Sequence, residues 1–281
     1  MNRRDFLKNS GIIAAAATLS PVMTACGNEA SDLAGMKNIP DAYETDLLVV
    51  GGGPAGSCAA VAAARMGVKT IIIDNGNCLG GMATKGLVGP FMTCYDRYGE
   101  QMIIKGIFGE IVDRLVEKNW AIHPEHVRWE SPYTAWIKAG HDHVTPFDPE
   151  GLKVILETMC GEAGVKILYH TNFVETIMNG NAAAGAVVLQ KQGLRKIHAR
   201  MVIDATGDGD VAVSAGSPFS MGCKERDGKI QPASLFLRIN NVDSKKLEAD
   251  VYKHLPEFKS RRADLSIKGT LCKCGKCRIR R

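Results

Sequence analysis

An apolar run of strand type, Asp46 to Val50 (DLLVV), leads without a spacer into Gly51-Gly52-Gly53-Pro54-Ala55-Gly56, which opens an alanine-rich helical stretch ending near Gly67. Lys69 to Asp74 (KTIIID) is a second strand. Strand, glycine turn, helix and strand within about 30 residues make a βαβ unit with G-x-G-x-x-G at its turn, the pattern that receives a dinucleotide. No other feature of the chain restricts its fold as much. It commits the chain to a parallel sheet with helices packed on it, the α/β class.

Each part of the turn has a physical role. Gly51 permits the sharp exit from the strand, Gly53 has no side chain to block a pyrophosphate, and Gly56 lets the helix pack closely on the sheet. Pro54 and Ala55 complete the phosphate-facing turn, where the helix N-terminus offers unpaired N–H groups and partial positive charge. Asp74 ends the second strand 23 residues after Gly51, where its carboxylate would meet a ribose hydroxyl. Asp74-Asn75-Gly76 also suits a plain turn, and the intact fingerprint favours the ribose role.

Charge restricts the partners. The 281 residues carry 35 Lys+Arg and 30 Asp+Glu, a net +5. Residues 1–8 hold a balance of +2 and residues 259–281 a balance of +8, which leaves the body at −5. An acidic body has no electrostatic reason to hold a nucleic-acid backbone, so no nucleic-acid partner is expected.

The basic N-terminal end reads as an export signal. Asn2-Arg3-Arg4-Asp5-Phe6-Leu7-Lys8 precedes an apolar run from Gly11 to Leu19, closed by Pro21. Nine apolar residues are far below the about 20 that cross a bilayer, and the charged-then-apolar order is that of a leader. The paired arginines resemble the twin-arginine signal, read by machinery that exports folded, cofactor-loaded proteins. Met23-Thr24-Ala25-Cys26-Gly27 resembles a lipoprotein cleavage box, which would leave a lipidated Cys26; ordinary cleavage nearby is the alternative. Residues 1–30 are thus expected to be signal peptide and residues 31–44 linker, with the mature protein periplasmic or on the outer face of the membrane, anchored by lipid if Cys26 is modified.

Gly80-Gly81-Met82-Ala83-Thr84-Lys85-Gly86 and Met201 to Asp210 (MVIDATGDGD) carry a family resemblance. Residues 46–93 look like the opening of the FAD-dependent oxidoreductases, whose members carry a GG-x-A-T stretch after the second strand, and MVIDATGDGD resembles their strand and ATG-D block. Ala215 to Phe219 and Gln231 to Ser234 continue the pattern, and Val165 to Thr171 with Val174 looks like the strand whose backbone receives the adenine. The resemblance implies FAD as cofactor and a three-layer, Rossmann-like FAD-binding fold, a parallel sheet with an inserted β-meander, plus a partial cap or substrate region. It implies that Gly81, Met82, Ala83 and Thr84 lie along the flavin side, Val174 near the adenine, and Gly207 and Asp208 beside the dinucleotide. Physics supports the last pair in part, since an apolar strand running into glycines can turn backbone amides at Gly207 and Gly209 toward an anion. A simple Gly-Asp turn is the alternative.

The remaining segments read as scaffold. Residues 45–243 are expected to be the FAD-binding domain, with an inserted cap at about 90–147 and a basic tail at 244–281. Ile107, Ile111, Val112 and Leu115 mark an amphipathic helix over 106–118, and Asp148-Pro149-Glu150 caps another that runs to about Glu162. Residues 174–200 read as a small meander with turns at Asn179-Gly180-Asn181 and Gln192-Gly193. No catalytic residue stands out. His141-Asp142-His143 would serve as a metal pair, an acid–base group or a solvated loop, and the loop is favoured because no third ligand follows. Trp129, Tyr133 and Trp136 would line a substrate pocket. Cys78 lacks the second cysteine of a disulfide reductase, and the scattered Cys58, Cys78, Cys94, Cys160 and Cys223 suggest reduced thiols. Cys272-x-Cys274-x-x-Cys277 lacks a fourth zinc ligand, so no metal is expected, and the tail reads as a frameshifted or truncated end.

Two functions follow. One is an exported FAD-dependent oxidoreductase that moves a hydride or electron pair between a small organic substrate, the flavin and an unidentified electron acceptor. The other is a non-catalytic lipoprotein fragment that holds FAD or its ADP half. An NAD-binding dehydrogenase is a more distant third.

Overall fold

The computed structural model describes residues 38–128, 141–223, 227–230, 233, 234, 236, 238, 241–243, 245, 246 and 249. The leader, Cys26, Trp129, Tyr133, Trp136 and the tail cysteines lie outside these residues, as does most of the basic tail over 244–281. Everything below belongs to the compact unit that begins at Pro40.

Strand β1 (Asp41–Val50) leads through the glycine turn into helix α1 (Pro54–Arg65), which returns to β2 (Thr70–Ile73). Helix α2 (Ile107–Glu117) and helix α3 (Pro149–Ala163) follow, then β3 (Lys166–Leu168), β4 (Asn172–Asn179), β5 (Ala182–Gln190), β6 (Gly193–Asp204) and the short α4 (Asp210–Ser214). One six-stranded sheet has the order β3-β2-β1-β6-β5-β4. Strands β3, β2, β1 and β6 run parallel, and β5 is antiparallel to both β6 and β4.

Two strands are longer than their apolar runs. Strand β1 starts at Asp41 rather than Asp46, because the polar residues 41–45 pair with 196–199 of β6. Strand β6 crosses the expected boundary at residue 200 unbroken. Residues 193–198 pair with β5 and close the meander, while residues 196–204 pair with β1 and belong to the parallel sheet. The meander is therefore a continuation of the sheet. On the side of β6 away from β1, residues 199–204 have no partner strand among the described residues.

Strand β2 and residues 47–50 of β1 are buried on both faces, which explains why these runs are apolar without alternation. Leu47, Val49 and Ile72 join Ala60, Val61, Leu115, Leu152, Leu156 and Met159 in a core beneath α1, α2 and α3. Leu48, Val50, Ile71 and Ile73 point the other way, into a second core with Ala186, Val188, Ile197, Ala199 and Val211. The meander and α4 thus cover that face, giving three layers. Each fully buried aliphatic side chain contributes about 1.5 to 3 kcal/mol. Residues 90–147 are not isolated from this core, since Ile111 and Leu115 of α2 are part of it.

Helix ends follow local rules. Asp148 accepts the Glu150 N–H at 2.9 Å, and Gly164 closes α3 at φ +80°. On the outer surface, Glu110 of α2 accepts both guanidinium nitrogens of Arg65 from α1, at 2.6 and 2.8 Å, and also pairs with Arg114 at 2.8 Å. Arg114 reaches Glu162 of α3 at 2.7 Å, so four charges tie three helices together. The Arg65 hydrogen bond is the largest influence on Glu110; burial opposes it, the Arg114 bond reinforces it, and the carboxyl is held down to about 2.

A carboxyl lowered in the folded state adds stability above its unfolded pKa, near 4.5, and loses that stability as pH falls toward about 2. The Glu110 side chain is still 29% exposed, so solvent screening leaves a contribution of about 1 kcal/mol. Glu110→Gln is expected to lower the melting temperature by about 2 to 4 °C at pH 7 and by about a quarter of that at pH 2.5. A pH-independent difference between the two proteins in thermal scans refutes this account.

Candidate nucleotide site

The carboxyl ends of β1, β2 and β6 meet at one crevice. Gly51 leaves β1 at φ +103°, and a Cβ there would overlap the Ala205 carbonyl that follows β6. Gly56 lies so close beneath the turn that a Cβ would strike the Gly51 carbonyl and come within 3.1 Å of the Ala205 Cβ. Gly53 differs from both. It is the N-cap of α1, has φ −66°, offers no side-chain cap, and a Cβ on it would meet nothing within 4 Å. The first turn of α1, with Pro54 and Ala55 exposed, therefore opens onto free space with uncapped N–H groups.

Asp74 forms one wall, 7% exposed. Its Oδ2 accepts the Gly52 N–H at 2.9 Å; its Oδ1 accepts the Gly76 N–H at 2.7 Å and lies 2.6 Å from Lys85 Nζ. Asp74 thus closes the 74–76 turn and also lines the crevice. Three of roughly four acceptor positions on the carboxylate are taken, which leaves capacity for a hydroxyl.

The opposite wall is the 205–209 loop, shaped by two residues that the motif reading passed over. Asp204 accepts the Thr206 hydroxyl at 2.8 Å, the Thr206 N–H at 3.1 Å and the Ala212 N–H at 2.9 Å. Thr206 Oγ1 in turn accepts the N–H groups of Gly209 and Asp210 at 3.0 and 3.1 Å. Burial pushes the Asp204 carboxyl up, but the Ala212 and Thr206 bonds prevail and hold it below the usual carboxylate range. Gly207 and Gly209, at φ +87° and +75°, let the loop fold back around this pair.

These walls enclose a crevice of about 220 Å³ lined by Gly51, Asp74, Thr171, Phe173, Thr206 and Asp208, among others. A more open hollow of about 890 Å³ adjoins it, sharing Phe173 and Asp208 and adding Val174, Gly207, Val213 and Phe219. Val174 thus lines the outer hollow. It stands where the β4–β5 register shifts, between Phe173 and Glu175, so it has no partner in the ladder.

The GG-x-A-T stretch comes to the same end of the sheet. A Cβ on Gly81 would lie 2.9 Å from Gly53 Cα, so the short helical turn Gly81–Ala83 backs onto the phosphate turn. Met82 is exposed, whereas Ala83 is in the helix-side core and Thr84 is buried, donating its hydroxyl to the Leu79 carbonyl at 2.7 Å. Any contribution of Ala83 and Thr84 to a ligand comes through backbone.

His143 corrects the solvated-loop reading. It is 5% exposed, stacks on Tyr95 at 4.2 Å, and lies 3.0 Å from the Pro124 carbonyl through Nδ1 and 3.4 Å from Arg128 through Nε2. A carbonyl only accepts, so Nδ1 carries the proton and this histidine holds loops together. Among the described residues no group of three or more His, Cys, Asp or Glu could hold a metal. Cys58, Cys78, Cys94 and Cys160 are free thiols. Burial pushes Cys160 up to about 11 and raises Cys58 and Cys94 too, which keeps them protonated and unreactive.

The family model described as FAD dependent oxidoreductase matches residues 46–272, most of the chain. The chain belongs to this family. Among curated proteins, digoxin reductase of Eggerthella lenta is 30% identical over 104 residues, covering 33% of this chain and 18% of its own. Thiamine thiazole synthase of Aeropyrum pernix is 29% identical over 174 residues, covering 58% and 54%. A solved geranylgeranyl bacteriochlorophyll reductase-like protein of Thermoplasma acidophilum is 26% identical over 62% of this chain and 42% of its own, with a TM-score of 0.41. The chain thus spans about half, or less, of the length of these relatives. For a member of the FAD dependent oxidoreductase family the group to be accommodated is FAD, and the site fits it in shape and hydrogen-bonding groups. Open space before Gly53, uncapped N–H groups on α1 and acceptor capacity on Asp74 match a diphosphate next to a ribose.

Proposed function

We propose that this protein is an exported oxidoreductase that passes a hydride or electron pair between a small organic substrate and FAD, with a separate electron acceptor. The observation that carries the reading is the open, uncapped N-terminus of α1, which follows directly on Gly51 at the rim of a crevice lined by Asp74, Thr206 and Asp208. In this reading the first turn of α1 binds the diphosphate, Gly53 lets it approach, and Asp74 accepts a ribose hydroxyl. Backbone near Val174 receives the adenine, Gly207 and Asp208 border the dinucleotide, and Gly81 to Thr84 lie along the flavin side. When bound, FAD supplies the reversible uptake of two electrons with a proton, so the protein's share is binding, orientation and exclusion of water. Export is inferred from Arg3-Arg4 before the apolar run and anchoring from a lipidated Cys26; in this reading the protein is periplasmic or on the outer face of the membrane.

A second reading, a binding protein that holds FAD or ADP without turnover, is favoured by the crevice lining, which holds no histidine, cysteine or lysine. Purified protein is expected to show a flavin absorption spectrum and to release about one FAD per chain on heating. Colourless protein that binds neither added FAD nor added ADP overturns both readings. Bound FAD that no reductant or substrate reduces leaves the second.

A further inference from the structure

The crevice has the wrong charge for its ligand. Asp74, Asp208 and Asp210 line it, and no Lys, Arg or His does. A diphosphate adds two more negative charges. Asp208 and Asp210 are exposed, where solvent and salt screen them, and none of the described ion pairs engages either. Asp74 is buried, so its charge acts on a neighbouring anion through protein rather than water.

Lys85 lies behind it. Its ammonium is 2.6 Å from Asp74 Oδ1 and 3.3 Å from Asn75 Oδ1, with a third of the side chain still exposed. Asp74 Oδ2 takes the Gly52 N–H, so ammonium, carboxylate and glycine turn form one connected line to the phosphate position. We propose that Lys85 is a positioning residue for the cofactor: by neutralising buried Asp74 from behind, it lets an acidic crevice accept a diphosphate while the carboxylate stays available to the ribose. The inference rests on the FAD-site reading above. It makes a distinction that reading does not, because loss of Lys85 penalises ligands by their phosphate charge and not by their sugar.

The test uses full-length protein, with ADP, adenosine and FAD as probes in calorimetric titrations at low and high salt. Lys85→Met is expected to weaken ADP and FAD about ten-fold and adenosine less than about two-fold, with Lys85→Arg near wild type. In the double variant Lys85→Met, Asp74→Asn, which removes both charges, the ratio of ADP to adenosine affinity returns toward the wild-type ratio. Thermal unfolding of each apo-protein checks that it is folded, and the double variant carries the test if Lys85→Met alone fails to fold. Equal ADP affinity in Lys85→Met and wild type overturns the inference alone. Adenosine falling in step with ADP does the same, since that marks a structural role. Wild type that binds neither FAD nor ADP overturns this inference together with the site assignment.

Discussion

Replacing Gly53 with valine is expected to abolish FAD retention, weakening affinity by more than about 100-fold, while the apo-protein melts within about 3 °C of wild type. The separation follows from the geometry. A Cβ on Gly53 meets no atom within 4 Å and its φ of −66° suits any residue, so the fold has little reason to object. The loss of a glycine N-cap costs less than about 1 kcal/mol. The same empty space is where the diphosphate is proposed to lie, and an isopropyl group there displaces it. FAD titration together with a thermal scan decides the matter: unchanged flavin content sinks the site assignment, and a collapse in melting temperature shows that Gly53 is structural.

Gly56→Ala should do the reverse. The added methyl overlaps the Gly51 carbonyl and crowds the Ala205 side chain, both belonging to segments with no room to retreat. Alanine improves intrinsic helix propensity by up to about 1 kcal/mol, yet overpacking against backbone is expected to leave the variant about 3 kcal/mol less stable. For a domain of this size that lowers the melting temperature by about 6 to 12 °C, and flavin binding falls with it. A variant as stable as wild type contradicts the close packing of α1 under the turn.

Legibility in the sequence divides along the range of the interactions. The βαβ unit, the Asp148 cap of α3 and the amphipathic α2 are readable because each is fixed by residues within a turn or two of one another. The continuity of β6 is not: Lys196 to Arg200 alternates basic and apolar residues like a meander strand, and only pairing with β1 joins it to residues 201–204. Asp204 and Thr206 sit in plain sight in the ATG-D block. The glycines drew the reading, whereas the two polar side chains shape the loop. His143 looks solvated next to His141 and Asp142 because nothing local announces its stacking on Tyr95. Lys85 pairs across a loop with Asp74, and a lysine after an A-T dipeptide carries no signal of that partner.

The contact of Gly51 with Ala205 has a consequence for the order of assembly. Asp46 and Arg200 meet in the same β1–β6 pairing, 154 residues apart in the chain. Closing so long a loop precedes any reward from the contact, so this pairing belongs to the slow, non-local part of folding. The glycine turn at residues 51–56 therefore gains its opposing wall only after the ATG-D block has left the ribosome, and a nucleotide bound where it is proposed to bind would require the β1–β6 pairing to be in place.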